Sequence, residues 1–141
     1  MNLNTDHLKR CIRTLETSLK FYAEAGQDEL AQEVYRNAVV KSFELCLEVA
    51  GKLLRRAVTE FGYSNKTVDE WYFKDVLRHA AKHGLLDTSV LPRWFAYRDN
   101  RNDTAHDYGE RFANETLELA QQFLADSVML EASLSEKFRD A

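Results

Sequence analysis

Proline occurs once in this chain of 141 residues and glycine five times. These two residues mark most turns, so their scarcity predicts few breaks and long helices. Cysteine is almost as rare, and Cys11 and Cys46 form no Cys-x-x-Cys pair that would suggest zinc. Each falls at an apolar helical position, as expected of a buried thiol in a reducing compartment. No apolar run approaches the length of a membrane span, and the start Met1-Asn2-Leu3-Asn4-Thr5-Asp6-His7 has no signal-peptide core. A cytoplasmic location and no membrane partner are therefore expected. Basic charge is not in excess either. The formal net charge is −4, which argues against a surface that coats nucleic acid in general. A small local basic site is still open, because Arg93, Arg98, Arg101 and Arg111 gather in one region.

What is present is helical periodicity. Hydrophobic residues make up 45% of the chain and charged residues 30%, enough for one domain with a sizeable core. Leu8, Ile12, Leu15, Leu19 and Tyr22 recur every three or four residues, with Asn4, Thr5 or Asp6 as the cap and Gly26 as the stop. A second run, from about Gln27 to Phe61, carries Ala31, Val34, Tyr35, Ala38, Phe43, Cys46, Ala50, Leu53, Leu54 and Ala57. At 1.5 Å per residue it would be roughly 50 Å long. Leu45 and Val49 widen its apolar stripe, and a stripe this wide on a helix this long predicts packing against a second copy of the chain. One shorter helix is expected to begin at Thr67 or Asp69 and to end at Gly84. Another, with Pro92 in its first turn, should end near Arg101. The last runs from about Glu110 to Phe138, with Leu117, Ala120, Phe123 or Leu124, Val128, Glu131 and Leu134 inward. The expected architecture is an all-α, up-and-down bundle of four to five helices with one long helix, dimerising.

One segment carries dense polar chemistry without apolar periodicity: Arg98-Asp99-Asn100-Arg101-Asn102-Asp103-Thr104-Ala105-His106-Asp107-Tyr108. Arginine offers a fixed fork of donors that fits a phosphate. Histidine exchanges a proton near neutral pH. The pairing suits phosphodiester or nucleotide chemistry; the simpler alternative is a polar loop whose Asn and Asp residues cap helices. Asp103 and Asp107 flank His106, to fix its tautomer or to cap the last helix. Glu44 and Glu48, four apart on the long helix, are either acid–base groups or carboxylates that hold Arg101, and the second is favoured. His79 and His83 are also four apart, with Asp75 four before, a spacing that can chelate a metal. They read more simply as exposed polar residues of an amphipathic helix.

The segment Arg101-Asn102-Asp103-Thr104-Ala105-His106-Asp107-Tyr108-Gly109-Glu110 resembles the Arg-Asn-x-Thr-Ser/Ala-His-x-Tyr-x-Glu signature of HEPN-domain proteins. More narrowly, it is similar to the branch of nucleotidyltransferase substrate-binding proteins and HepT-type toxins. Phe43-Glu44-Leu45-Cys46-Leu47-Glu48-Val49-Ala50-Gly51-Lys52 is similar to that branch's Phe-Glu-x-x-x-Glu-Leu-Ala-Trp-Lys, with Gly51 replacing the tryptophan. Trp94 stands where the branch often has a tryptophan ahead of the motif. The resemblance implies a single HEPN-like domain over residues 1–141, a homodimer whose motifs face each other, and a minimal nucleotidyltransferase encoded nearby as partner. It also implies one of two functions. The first is a ribonuclease toxin needing no metal or other cofactor, silenced by AMP attached to Tyr108. The second is a subunit that only binds a nucleotide or other substrate. Under the ribonuclease reading Arg101, His106 and Asn102 are catalytic, and Tyr108 contacts RNA or nucleotide or is modified. Glu44, Glu48 and Asp103 support them.

Overall fold

The computed structural model describes residues 2–104 and 110–139, with the side chains of 101–104 and 110–112 left aside. Among the described residues six α-helices follow one another: α1 (Asp6–Glu24), α2 (Glu29–Val58), α3 (Asn65–Glu70), α4 (Phe73–Lys82), α5 (Leu91–Thr104) and α6 (Glu110–Lys137). Short 3₁₀ turns, Thr59–Phe61 and Thr88–Val90, follow α2 and precede α5. Among the described residues there is no strand. Among these residues no helix is long and apolar enough to cross a membrane either.

The long helix is the axis of the bundle. α1 folds back on α2 through a turn in which Gly26 takes a φ of +61°, a left-handed conformation open to glycine. Asp28 then accepts the Ala31 N–H at 3.1 Å and caps α2. α1, α6 and α4 pack directly on α2, with α3 beside it; α5 touches α2 and rests mainly on α6 and α4. Its inner residues include Val39, Phe43, Cys46, Leu47, Ala50, Leu54 and Ala57, all buried. Its first half reaches past this cover, leaving Leu30 71% and Val34 54% exposed.

The helix expected between Thr67 and Gly84 is two helices. Ser64 caps α3 by accepting the Thr67 N–H, and α3 stops after six residues. Arg55, reaching across from α2, donates to the carbonyls of Val68 at 2.7 Å and Trp71 at 2.9 Å. It thereby caps the end of α3, where the Val68 carbonyl also accepts the Trp71 N–H at 3.1 Å. Trp71 turns extended, with φ −75° and ψ 145°, and its indole stacks on His79 of α4 at 4.0 Å. This break raises the helix count from the expected four or five to six. α5 also runs three residues further than expected, to Thr104.

His79 and His83 are not the solvated face expected of them. The Tyr63 hydroxyl lies between them, 3.2 Å from His79 Nδ1 and 3.0 Å from His83 Nε2. Phe61 stacks on His83 at 4.3 Å. Burial holds the His79 imidazole below its ordinary value, with Lys82 and His83 adding to the effect and Asp75 opposing it. The inner face of α6 keeps Ala120, Phe123 and Leu134 as expected and also takes in buried polar residues, while Val128 lies outside it. Thr116, Ala120, Phe123, Ser127, Leu130 and Leu134 point inward, and Val128 is 46% exposed. Glu131 does face in. It accepts from Thr5 Oγ1 at 2.9 Å and Ser135 Oγ at 2.7 Å, with Lys9 Nζ at 3.5 Å. The carboxylate of α6 thus ties down the start of α1.

Candidate functional site

The polar string begins in the last turn of α5, so the placement of α5 fixes where the chemistry sits. Two devices hold it. The first is an aromatic cluster of Phe43 from α2, Trp94 and Tyr97 from α5, and Phe123 from α6. Ring centroids are 4.4 Å apart for Phe43–Phe123, 4.9 Å for Tyr97–Phe123 and 5.4 Å for Trp94–Tyr97. All four side chains are fully buried, and burying each such ring contributes about 2–3 kcal/mol.

The second device is polar. Asp126 of α6, itself buried, accepts Arg93 Nε at 2.9 Å and the adjacent guanidinium N–H at 2.7 Å. This is a two-pronged ion pair of matched geometry. Tyr97 donates its hydroxyl to the same carboxylate at 2.5 Å. The Asp126 bonds hold the Arg93 guanidinium well above its usual range. Burial pushes the Tyr97 phenol up, and the neighbouring carboxylate pushes it further. Two turns on from Arg93, the buried Asn100 donates its side-chain amide to Thr116 Oγ1 at 3.0 Å. α5 is therefore pinned to α6 on both sides of Tyr97, immediately before Arg101.

Arg101, Asn102 and Asp103 occupy the last turn of α5, their side chains among those left aside. His106 and Tyr108 lie outside the described residues. On α2, Glu44 is half-buried. Glu48 is exposed and pairs with Lys52 at 3.5 Å, one turn along the same helix. Gly51 is explained by its neighbour. A Cβ at this position would stand 2.5 Å from Phe73 Cε2, so the ring of α4 fills the volume that a larger α2 side chain would need. Among the described residues no group of three or more His, Cys, Asp or Glu side chains is arranged to hold a metal. The supporting network of Arg93, Tyr97, Asn100, Thr116 and Asp126 is absent from the sequence-derived site. Its one local signal is Asp126, a charge directly beside Ser127 on the inner side of α6.

Among the described residues, five helices are arranged about one long helix, and the polar string follows from the end of the pinned α5. Residues 3–136 match the family described as nucleotidyltransferase substrate binding protein like, and the chain belongs to that family. It is 28% identical over 111 residues to a Haemophilus influenzae protein named "Probable ribonuclease HepT", an alignment covering 79% of this chain and 75% of the relative. A solved structure from Haemophilus influenzae, described as revealing the fold of a substrate binding domain of a nucleotidyltransferase, superposes with a TM-score of 0.83. It is 26% identical, with 93% of this chain and 98% of the other covered.

Proposed function

We propose that this chain is the HEPN-type partner of a minimal nucleotidyltransferase and is itself a metal-independent endoribonuclease, the toxin of a toxin–antitoxin pair. One observation carries the reading. The string Arg101-Asn102-Asp103-Thr104-Ala105-His106-Asp107-Tyr108 begins at the end of the pinned helix in a member of this family. The relative bearing a ribonuclease name supports it.

RNA brings its own nucleophile, so the protein has only to move protons and offset charge. His106 takes the proton of the 2′-hydroxyl as the oxygen attacks phosphorus. The bond to the 5′-oxygen breaks, and a protonated His106 returns a proton to that leaving oxygen. The products are a cyclic 2′,3′-phosphate and a free 5′-hydroxyl. Arg101 holds the phosphate and offsets the charge that builds on its oxygens. Asn102 binds the phosphate or orients His106, and Asp103 fixes the imidazole tautomer. Of the two carboxylates on α2, the half-buried Glu44 is our choice for holding Arg101 over the exposed Glu48.

A homodimer would supply two copies of His106, one as base and one as acid. The exposed Leu30, Val34 and Leu45 along α2 support such an assembly. The partner transferase silences the site by adding AMP to Tyr108, whose new phosphate competes for the arginine fork. The second reading is a subunit that binds a nucleotide or other substrate without cleaving RNA. The family's description and the net charge of −4 favour it. RNA cleavage by the purified chain in the presence of a chelator separates the two readings.

A further inference from the structure

We infer that the α4–α5 face is the track along which a single-stranded RNA reaches the polar string, with Lys74, Arg78 and Arg98 as phosphate contacts and Tyr72 as a base platform. The inference rests on the ribonuclease reading and names how its substrate is held. α4 and α5 pack side by side, and the pairings fix their direction. Lys74 Nζ meets Asp99 at 2.8 Å, near the end of α5. Arg78, one turn along α4, lies over Phe95, one turn back along α5, at 5.0 Å. The helices are therefore antiparallel, and the start of α4 lies beside the end of α5, where Arg101 and Asn102 follow within one turn.

Cations and rings alternate along this face. Lys74 and Arg78 both stand over the Phe95 ring, at 5.5 Å and 5.0 Å. Arg98 stands over Phe73 at 5.4 Å, and Phe73 is seated by Gly51 beneath it. The rings hold the three cations in position without consuming their charge. Asp75 and Asp99 pair with Arg78 and Lys74 at 3.0 Å and 2.8 Å. All four side chains are partly in solvent, where such pairs are weak and exchange readily for a phosphate. At the motif end of the track, Tyr72 is 82% exposed. Its backbone is fixed, because its N–H donates to Asp75 as the start of α4 is capped. A large aromatic ring that is mostly in solvent and sits on a fixed backbone two residues before Lys74 suits an unstacked base. Interleaved cations and rings recognise a flexible polyanion carrying aromatic bases, which is single-stranded RNA rather than a duplex.

The test is fluorescence anisotropy with a labelled single-stranded RNA, using His106→Ala protein so that the probe survives. Tyr72→Ala is expected to weaken binding about tenfold, the effect of losing one base–aromatic stack. Lys74→Gln, Arg78→Gln and Arg98→Gln together are expected to lower the slope of log affinity against log salt by about 2, at about 0.7 per phosphate. Lys20→Gln on α1 serves as the control. RNA binding with unchanged affinity and slope in these variants overturns the track, and if the wild-type chain cleaves RNA the ribonuclease reading survives. Binding that responds as expected without any cleavage by wild type supports the track and removes the ribonuclease reading. Failure of the wild-type chain to bind RNA removes both.

Discussion

Replacing Asp126 by alanine tests whether the buried carboxylate is what holds α5. In the native protein Tyr97 is 0% exposed and donates to Asp126 at 2.5 Å. In Asp126→Ala that donor is left in the core without an acceptor, at a cost of about 1–3 kcal/mol. Breaking a fully buried ion pair costs about 3–5 kcal/mol. That range does not apply here, because the Arg93 side chain is 41% exposed and regains water. We expect a loss of about 2–3 kcal/mol, or roughly 6–10 °C in melting temperature for a chain of this size. Urea and thermal unfolding followed by far-UV circular dichroism measure it. The stringent form is a double-mutant cycle. Tyr97→Phe alone should cost about 1 kcal/mol, while the same change in Asp126→Ala removes an unpaired hydroxyl and should be neutral or stabilising. If Tyr97→Phe costs the same in both backgrounds, within about 0.5 kcal/mol, the hydrogen-bond reasoning is wrong.

Glu131 sits below the ordinary carboxylate range: burial pushes it up, but the Ser135 and Thr5 hydroxyls and Lys9 more than offset this. Its contribution to stability is complete above about pH 5 and is lost as pH falls through the depressed folded value. Glu131→Gln should therefore flatten the decline in urea midpoint between about pH 5 and pH 3; parallel declines in both proteins contradict this. Burial pushes the Cys46 thiol up to about 12, so maleimide at mildly alkaline pH should label Cys46 only after unfolding, as read by mass spectrometry. Labelling at the rate of a free thiol in the native protein would show that α2 is not packed as described. Gly51→Leu should destabilise by about 1–2 kcal/mol, overpacking against Phe73 outweighing the gain in helix propensity. A thermal melt at or above the wild-type temperature counts against Gly51 as the seat of that ring.

The first two helices were legible in the sequence because each buries a regular stripe. Leu8, Leu15 and Leu19 mark α1, and Phe43, Leu47 and Leu54 mark α2. Glycine at 26 and 62 stopped the first two where expected. The break between α3 and α4 was not legible, because neither glycine nor proline makes it. Arg55 makes it from a distance of 13 and 16 residues in sequence, together with a tryptophan that folds back on a histidine. On α6 one expected inner residue, Val128, was misplaced for a related reason. Thr116, Asp126 and Ser127 are buried polar residues, and an apolar pattern passes over them and admits Val128 instead. The candidate site was proposed from a contiguous string in the sequence, Arg101 to Tyr108. Its scaffold was not legible there, since Arg93 and Tyr97 meet Asp126 across 33 and 29 residues.

RNA cleavage by the purified chain, free of any nucleotidyltransferase and in excess chelator, tests the central claim most directly. Wild type is expected to cut single-stranded RNA and leave cyclic 2′,3′-phosphate ends. Arg101→Ala should be slower by about 10²–10³-fold, the effect of removing one transition-state donor. His106→Ala should be inactive while keeping the wild-type helical spectrum. Cleavage that persists in His106→Ala, or an inert wild-type chain, would contradict the account.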